Sequence, residues 1–355
     1  MAFITGLVLI DAPASALNNI GKIEGTLTDN STGVKFIRTR EGAFPYVSAQ
    51  AFRYWWRRTL EKGNWGWKSA PVFREAKIAY TEANPIAWWD DDLFGYMRAP
   101  ASKASARKKT ADVGLPVKEA VTRISPLRVG TLVALAPVPL VNDFGVMARH
   151  EGDPVPFEHQ FYRATLHTLL SLDLHAVGTF TYIKRSGHLH LDEIRVKEAE
   201  KAGLEKLPAA KAYRLPLEER LLRITALLEA LTRLEGGAKQ AIHYTDVSPD
   251  ILVLAVTKGG NHIFRHIFTT DAQRQPQLHL AALRETLTAC ADDILSPIYF
   301  GWPHGYLDHE RERLEAALAS NQLGAGWANR VVIQHPRQVV AALCRDLADN
   351  PTWLA

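Results

Sequence analysis

Short apolar runs along the chain predict the β-strands. Residues 3–10, 34–37 and 251–256 are rich in the apolar and β-branched residues that favour strands. Residues 162–174 alternate apolar with polar side chains, which is typical of a strand with one polar face. Residues 129–141 form a further extended run.

Apolar positions that recur every three or four residues predict helices in both halves of the chain. The predicted helices span residues 48–61, 215–234, 276–294, 307–318 and 334–348. Strands and helices are mixed without a regular β-α-β alternation, so the predicted fold class is α+β rather than a doubly wound sheet. No clear linker divides the 355 residues, which favours one central domain with large insertions.

The helix predicted at residues 48–61 has an apolar face and a basic face. Ser48 is suited to cap it, because a serine hydroxyl accepts a hydrogen bond from an early helical N–H. The apolar face consists of Phe52, Trp55, Trp56, Thr59 and Leu60. The opposite face carries Arg53, Tyr54, Arg57 and Arg58, and Arg53 and Arg57 point together because they are four residues apart.

Basic residues precede this helix and suggest an anion site. Lys35 and Arg38 lie on or just after the strand that leads into it. Free N–H groups at a helix N-terminus attract anions, so a basic strand end beside a basic helix face would form a cradle for a phosphate backbone. Ordinary solvated surface arginines would produce the same pattern, and both interpretations stay open.

A glycine-containing stretch, Gly259-Gly260-Asn261, is a second candidate for phosphate binding. Glycines let backbone N–H groups approach a phosphate closely, and Lys258 and His262 flank the stretch. The same residues would also serve as a hairpin turn between strands at 251–256 and 263–268.

The segment 142–159 contains two glycines and two prolines and predicts a protruding hairpin or arm. It carries Phe144, Met147, Arg149 and His150. Apolar wedges beside cations can separate or stack nucleic-acid bases. The alternative is that Phe144 and Met147 are ordinary packing residues.

Composition and charge narrow the class of protein only slightly. The formal net charge of +4 is mild, but eight Lys or Arg residues lie between positions 98 and 128, against Asp112 and Glu119. The small, polar and basic residues at 98–118 predict a mobile loop, either simply solvated or able to grip a polyanion. Two cysteines give no disulfide framework, and no signal peptide or membrane span is apparent, so a cytoplasmic location is expected.

The sequence offers only weak evidence for catalytic residues. The stretch DDDLFGYM begins with Asp90, Asp91 and Asp92, which could suggest a metal, but neighbouring side chains diverge and rarely share one ion. An acidic helix start, or a turn closed by Gly95, is favoured instead. The sequence has no HExxH, P-loop, GxGxxG or nucleophile elbow, so no catalytic residue, metal or cofactor is predicted.

Several segments, taken in order, resemble one known family. The chain is similar to the DevR-type backbone subunit, of the Cas-seven family, in type I CRISPR effector complexes (Cascade), and is most like the type I-B branch. The resemblance is carried by IDAPASALNNIG, VKFIRTREGAFPYVSAQAFRYWWRRTL, REAKIAYTEANPI, DDDLFGYM, TRISPLRVGTLVAL, DFGVMARHEGDPVPFEHQFY, LDLHAVGTF and KQAIHYTDVSPD with GGN. These segments span most of residues 1–270, and the C-terminal part contributes less.

The resemblance implies a fold and a function that the patterns alone do not. The implied fold is a modified RRM-like (ferredoxin-like) palm at 1–63 and 126–355, with a helical fingers insertion at 64–125 and a β-hairpin thumb at about 141–160. Members of the family polymerise along guide crRNA, kink it at intervals with the thumb, and present it for pairing with target DNA. The implied partners are further copies of the chain and the other Cascade subunits: a Cas-five-like cap, a large subunit, a small subunit and a guide-processing subunit.

Residue by residue, the resemblance points to the candidates found above. Gln50, Arg53 and Arg57 match the family's helix that contacts the guide backbone, and Ser48 begins that helix. Phe144 and Met147 match the thumb wedge, and Gly259, Gly260 and Asn261 match the glycine-rich loop. Lys35, Arg38, Arg149 and His150 complete the predicted RNA-binding set.

Two other functions are compatible with the sequence. One is a CRISPR-type ribonuclease that cleaves precursor or target RNA, for which Asp90, Asp92 or Asp143 would be the candidates. The other is an enzyme acting on a small molecule, for which no residue pattern proposes a substrate. The expected function is therefore a non-catalytic RNA-binding subunit.

Overall fold

A computed structural model describes residues 1–22, 28–75, 78–100, 117, 119–184 and 187–355. Most of the basic loop predicted at 98–118 lies outside these residues, so its predicted mobility stays a prediction. In the part of the chain that the structure describes, every helix is too short or too polar to cross a membrane.

The first half of the chain contains most of the strands. In order they are β1 (Ala2–Ser15), β2 (Asn19–Gly21), β3 (Ser31–Val34), β4 (Phe36–Thr39), β5 (Gly42–Val47), β6 (Val72–Glu75), β7 (Ile78–Thr81), β8 (Tyr96–Arg98), β9 (Val121–Arg123), β10 (Leu127–Val129), β11 (Leu132–Ala134), β12 (Val141–Met147) and β13 (Val155–Asp173). Helices α1 (Ala49–Lys62) and α2 (Trp89–Phe94) lie between them.

The second half contains most of the helices. They are α3 (Glu193–Lys201), α4 (Leu217–Leu231), α5 (Leu280–Ala289), α6 (Asp308–Ala319) and α7 (Pro336–Asp349). The remaining strands are β14 (Thr179–Thr181), β15 (Glu205–Leu207), β16 (Ala212–Arg214), β17 (Ile251–Lys258), β18 (Phe268–Thr270), β19 (Pro276–Leu278), β20 (Ile298–Gly301) and β21 (Val331–Gln334). The predicted α+β class is confirmed.

One large sheet organises the fold. Its strand order is β21-β20-β17-β1-β13-β11-β5-β4, and β17, β1, β13 and β11 pair antiparallel with their neighbours in that row. Helix α1 lies in the chain between β1 and β11, and α4 lies between β13 and β17. Taken in chain order, β1, α1, β11, β13, α4 and β17 therefore follow a β-α-β-β-α-β path. The first and third of these strands, β1 and β13, lie in the middle of the four.

Helices cover both faces of this sheet. Ile4, Val8 and Ile10 of β1 belong to the larger core, which includes side chains of α1, α4 and α7. Leu7 and Leu9 of the same strand belong to a second core with α5 and α6. Because both faces are buried, β1 reads as a continuous apolar run rather than as an alternation.

Several predicted elements differ in extent from the observed ones. The run at 129–141 is divided between β10, β11 and the start of β12, and β13 begins seven residues before the predicted strand at 162–174. The helix predicted at 276–294 contains β19 before α5 begins. The strand predicted at 263–268 as a hairpin partner of 251–256 is wrong, because β17 pairs with β1 and β20 instead.

The acidic run 90–92 forms the first turn of α2, as predicted, and its carboxylates diverge. Asp90 accepts a hydrogen bond from Arg57 Nε at 2.7 Å, and Asp91 accepts one from the Asn84 backbone N–H at 2.8 Å. Burial raises the pKa of Asp91 to about 7. Gly95 ends the helix with φ +74°, which confirms the predicted turn.

Asp92 is fully buried and joins three separate parts of the chain. Its carboxylate accepts from Arg123 of β9 at 2.5 Å, from Arg223 of α4 at 2.8 Å and from the Gly178 N–H at 3.0 Å. Both guanidinium groups are buried as well and also donate to backbone carbonyl groups. This network fastens α2 and β9 to α4 and to the chain that follows β13.

We predict that Asp92→Asn lowers the free energy of unfolding by about 3–5 kcal/mol, because it removes the carboxylate that pairs with the buried Arg123 and leaves the buried Arg223 with Glu219 as its carboxylate partner. Denaturant titration of both proteins measures this difference. Asp29→Asn is the control, since Asp29 is fully exposed, and it is expected to change stability by less than about 0.5 kcal/mol. Equal stability of the Asp92 variant and the wild type would contradict the role given to this network.

Candidate nucleic-acid interface

Helix α1 has the two faces that its periodicity predicts. Its buried residues are Phe52, Trp55, Trp56, Thr59 and Leu60. Trp56 Nε1 donates to the Leu227 carbonyl at 2.8 Å, which attaches α1 to α4. Ser48 caps the helix as predicted, with Oγ accepting from the Ala51 N–H at 3.4 Å. Gln50, in the first turn, is exposed.

The guanidinium groups of Arg53 and Arg57 are bound within the chain rather than free on the surface. Arg53 donates to the carbonyls of Leu127 and Phe94, each at 2.7 Å. Arg57 pairs with Asp90, and both guanidinium carbons lie within about 5 Å of the Phe94 ring centre. Burial, with a smaller contribution from Arg57, lowers the pKa of Arg53 to about 10, so this side chain stays charged at neutral pH.

Arg53 therefore has a structural role that the sequence does not reveal. The two arginines share a face, as predicted, and each guanidinium group has a partner within the chain itself. Arg57 retains partial exposure, at 31% of its side chain, and so can still face a phosphate. Contact of either residue with RNA stays a prediction.

The glycine-containing stretch follows β17 and folds back over the start of β1. The Gly259 N–H donates to the Met1 carbonyl at 3.1 Å, and His262 Nε2 donates to the Gly6 carbonyl at 2.6 Å. His262 Nδ1 accepts from the Phe264 N–H, which fixes this neutral tautomer, and burial lowers the pKa of the ring. Asn261 remains exposed.

Arg128 lies beside this stretch and was not among the predicted site residues. A Cβ atom added at Gly260 would come within 3.3 Å of Arg128 Nη1, and the Arg128 guanidinium lies over the Phe3 ring at 5.9 Å. Arg128 is exposed and directly follows Leu127, whose carbonyl accepts from Arg53. The sequence signal for Arg128 is its place next to the buried Leu127 in a short strand, because successive side chains in a strand point to opposite faces.

We call this group the glycine-loop surface: Gln50, Arg53, Arg57, Arg128 and Gly259–Asn261. Lys35 and Arg38 lie elsewhere, in or just before β4 at the edge of the sheet. The Lys35 N–H donates to the Asn18 carbonyl at 2.9 Å, and the Arg38 guanidinium lies over the Phe36 ring at 5.4 Å.

The segment predicted as an arm is a long hairpin made by β12 and the first part of β13. Their register pairs Val141 with Phe161 and Met147 with Val155. At its root, β13 also pairs with β3, through Glu158–Ser31 and His159–Thr32.

A stack of rings holds the hairpin root against a loop that follows α4. The His159 ring stacks on Phe157 at 5.9 Å, and the His243 ring lies 4.9 Å from His159 and 5.0 Å from Phe161. Gly145 leaves room for the Phe157 ring, since a Cβ there would come within 2.3 Å of it. The root is thus fixed on two sides.

Apolar side chains are exposed on both faces of the hairpin, at this root and beyond it. Phe144 is 57% exposed, and Val146, two residues along, points to the same face. Met147 is 50% exposed on the other face, directly opposite Val155. Val146 and Val155 were not predicted as wedge residues. Arg149 and His150 lie in the exposed turn at the tip.

Phe144 of the hairpin and the glycine-loop surface lie far apart along β13. Arg128 pairs with Ser171, and Phe144 pairs with Glu158, thirteen residues earlier in the same strand. At about 3.3 Å per residue this is about 40 Å. One nucleotide cannot touch both regions of one chain.

We predict that Arg53→Gln lowers the free energy of unfolding by about 1.5–3 kcal/mol, because it removes charged hydrogen bonds to Phe94 and Leu127. Chemical denaturation provides the measurement. Arg58→Gln, in the same helix but more exposed and paired with nearby Glu61, is expected to change stability by less than about 0.5 kcal/mol. If the two variants lose the same small amount of unfolding free energy, the hydrogen bonds of Arg53 do not stabilise the fold.

Comparison with known proteins finds similarity in structure but not in sequence. No family model matches the chain, and no curated protein matches it. A chain of a solved "CRISPR RNA-guided surveillance complex" is 12% identical with a TM-score of 0.51, over 97% of this chain and 99% of that chain. A chain of a "CRISPR RNA-guided surveillance complex, pre-nicking" is 10% identical with a TM-score of 0.55 and the same coverage. The protein therefore shares its mixed α+β fold with these chains over nearly its whole length.

Proposed function

We propose that this chain is a backbone subunit of a type I CRISPR-Cas surveillance complex, most like type I-B, that polymerises along guide crRNA. The observation that carries the proposal is the hairpin β12–β13, which projects exposed apolar residues from a rigid root. The whole-length likeness of fold to chains of RNA-guided complexes supports the same conclusion.

In this proposal the central strands β17, β1, β13 and β11, with α1 and α4, are the RRM-like palm. Their β-α-β-β-α-β path supports the assignment, since it is the ferredoxin-like arrangement. Residues 64–125 are the fingers, fastened to the palm through Asp92. The hairpin is the thumb.

The glycine-loop surface is proposed to hold the guide backbone. Arg128, Gln50 and Asn261 are exposed there, and the space beside Gly259 is open to close approach by a phosphate. These groups contact phosphate and sugar without reading bases, so binding is sequence-independent and falls with salt. Lys35 and Arg38 at the sheet edge, and Arg149 and His150 at the thumb tip, extend the basic contacts.

The thumb is proposed to separate guide bases, with Phe144 and Val146 facing one neighbouring base and Met147 the other. Because the wedge lies about 40 Å along β13 from the glycine-loop surface, it acts several nucleotides from the point where its own chain grips the backbone. Repeated copies would then kink the guide at regular intervals and leave segments free to pair with target DNA.

No catalytic role is proposed for the acidic residues. Asp90 and Asp92 are held in ion pairs with Arg57, Arg123 and Arg223, which makes them unsuited to act on RNA. Asp143, 55% exposed beside His159, is the remaining candidate for a ribonuclease. Further copies of the chain and the other Cascade subunits are the proposed partners, without cofactor or metal.

We predict that the wedge unstacks guide bases at regular intervals. Guide RNAs carrying 2-aminopurine at successive positions should fluoresce more strongly at evenly spaced positions when the protein binds, because an unstacked base is less quenched. Phe144→Ser combined with Met147→Ser should abolish this periodic signal, and the loss of stacking should weaken binding by roughly 5- to 100-fold.

Leu222→Ser is the control, since Leu222 is 59% exposed on α4, away from the hairpin. It should retain the periodic signal. A periodic signal that survives in the double variant would refute the wedge, and cleavage of the RNA that Asp143→Ala abolishes would favour the ribonuclease.

A further inference from the structure

An open cavity lies beside the hairpin root, away from the glycine-loop surface. It measures about 630 Å³, within the range of about 300–1,000 Å³ that is typical of small-ligand sites. It is bounded by the C-terminal ends of α1 and α4, the N-terminal end of α7 and the loop at residues 234–248. Neither the predicted RNA contacts nor the thumb uses it.

An exposed tyrosine stands at this cavity on a fixed loop. Tyr244 is 79% exposed, although the residues on either side of it are anchored. His243 stacks into the hairpin root, and the buried Thr245 shares a 2.5 Å hydrogen bond with the Ser15 hydroxyl. The Thr245 N–H also donates to Gln240 Oε1 at 2.9 Å. The ring is thus held outward by a loop that is already ordered, which lowers the entropy lost when a ligand stacks on it.

Three cationic side chains line the same cavity as the tyrosine. Lys62, Arg233 and Arg337 line the cavity, against Glu235 and Asp246. Lys62 is paired with Glu235, and Arg233 lies over the Trp65 ring. The exposed Arg337 guanidinium has no hydrogen-bond or ion-pair partner among the residues that the structure describes. An aromatic face and an unpaired guanidinium are therefore both available to one ligand.

We infer that this cavity is a subsite for one unpaired nucleotide, whose base stacks on Tyr244 and whose phosphate pairs with Arg337. Aromatic rings beside cations are the usual means of holding single-stranded nucleic acid without reading its sequence. The position favours this ligand, because the loop that carries Tyr244 packs on His159 and Phe161 of the proposed thumb. A base displaced by the wedge would need such a surface. The inference rests on the proposed function.

The first test measures affinity for an oligouridylate too short to hold two copies of the full chain. Tyr244→Ala should weaken binding by about 5- to 100-fold, the range for one base–aromatic stack, and Tyr244→Phe should bind like the wild type. Ile242→Ala is the matched control, because Ile242 is 62% exposed on the same loop but does not line the cavity. It should bind like the wild type.

The second test addresses the phosphate. Arg337→Gln should reduce the slope of log affinity against log salt concentration by about one, since one phosphate contact is lost. Photocrosslinking of the same oligonucleotide with 4-thiouridine should label the peptide that contains Tyr244 in the wild type.

The outcomes distinguish failure of the nucleotide subsite from failure of the proposed function. If the wild type binds RNA and Tyr244→Ala binds it equally well without loss of the crosslink, the subsite is wrong and the proposed function stands. If Tyr244→Ala impairs only assembly of several copies on long RNA, the cavity receives a side chain of a neighbouring copy, which also overturns the subsite. If the wild type binds no RNA, both proposals fail.

Discussion

The buried ion pair of Asp92 with Arg123 and Arg223 is the interaction on which the arrangement of the chain depends. It is formed by residues 31 and 131 positions apart, at the place where a short helix meets the sheet and α4. Charges in such a place are costly to bury unless every one is paired, so this network tolerates few alternative packings. The acidic run thus has a structural use, and the position of α2 relative to the sheet follows from it.

Contacts of α2 extend this constraint to the proposed RNA-binding surface. The Phe94 carbonyl, at the end of α2, accepts from Arg53, and Asp90 of the same helix pairs with Arg57. Arg53 also reaches the Leu127 carbonyl, next to the exposed Arg128. The proposed surface therefore includes arginine side chains that also stabilise the fold through contacts within the chain. Substitutions at Arg53 change stability together with any RNA affinity.

Local features of the site were predictable from sequence, whereas its long-range contacts were not. The buried face of α1, its Ser48 cap and the protruding hairpin follow from periodicity and turn residues, which act over a few positions. The partners of Arg53 lie 41 and 74 residues away, and no local pattern indicates them. Pairing of β17 with β20 rather than with residues 263–268 is equally non-local, so the alternative that the glycine stretch is a hairpin turn was wrong.

The central claim is that many copies of this chain line one guide RNA without cutting it. Native mass spectrometry of the purified protein with RNAs of increasing length tests it most directly. The account predicts that the number of bound copies rises in regular steps with RNA length while the RNA stays intact, and the step gives the nucleotides covered by each copy. A single bound copy at every length, or protein that ignores RNA at low salt, would contradict the account.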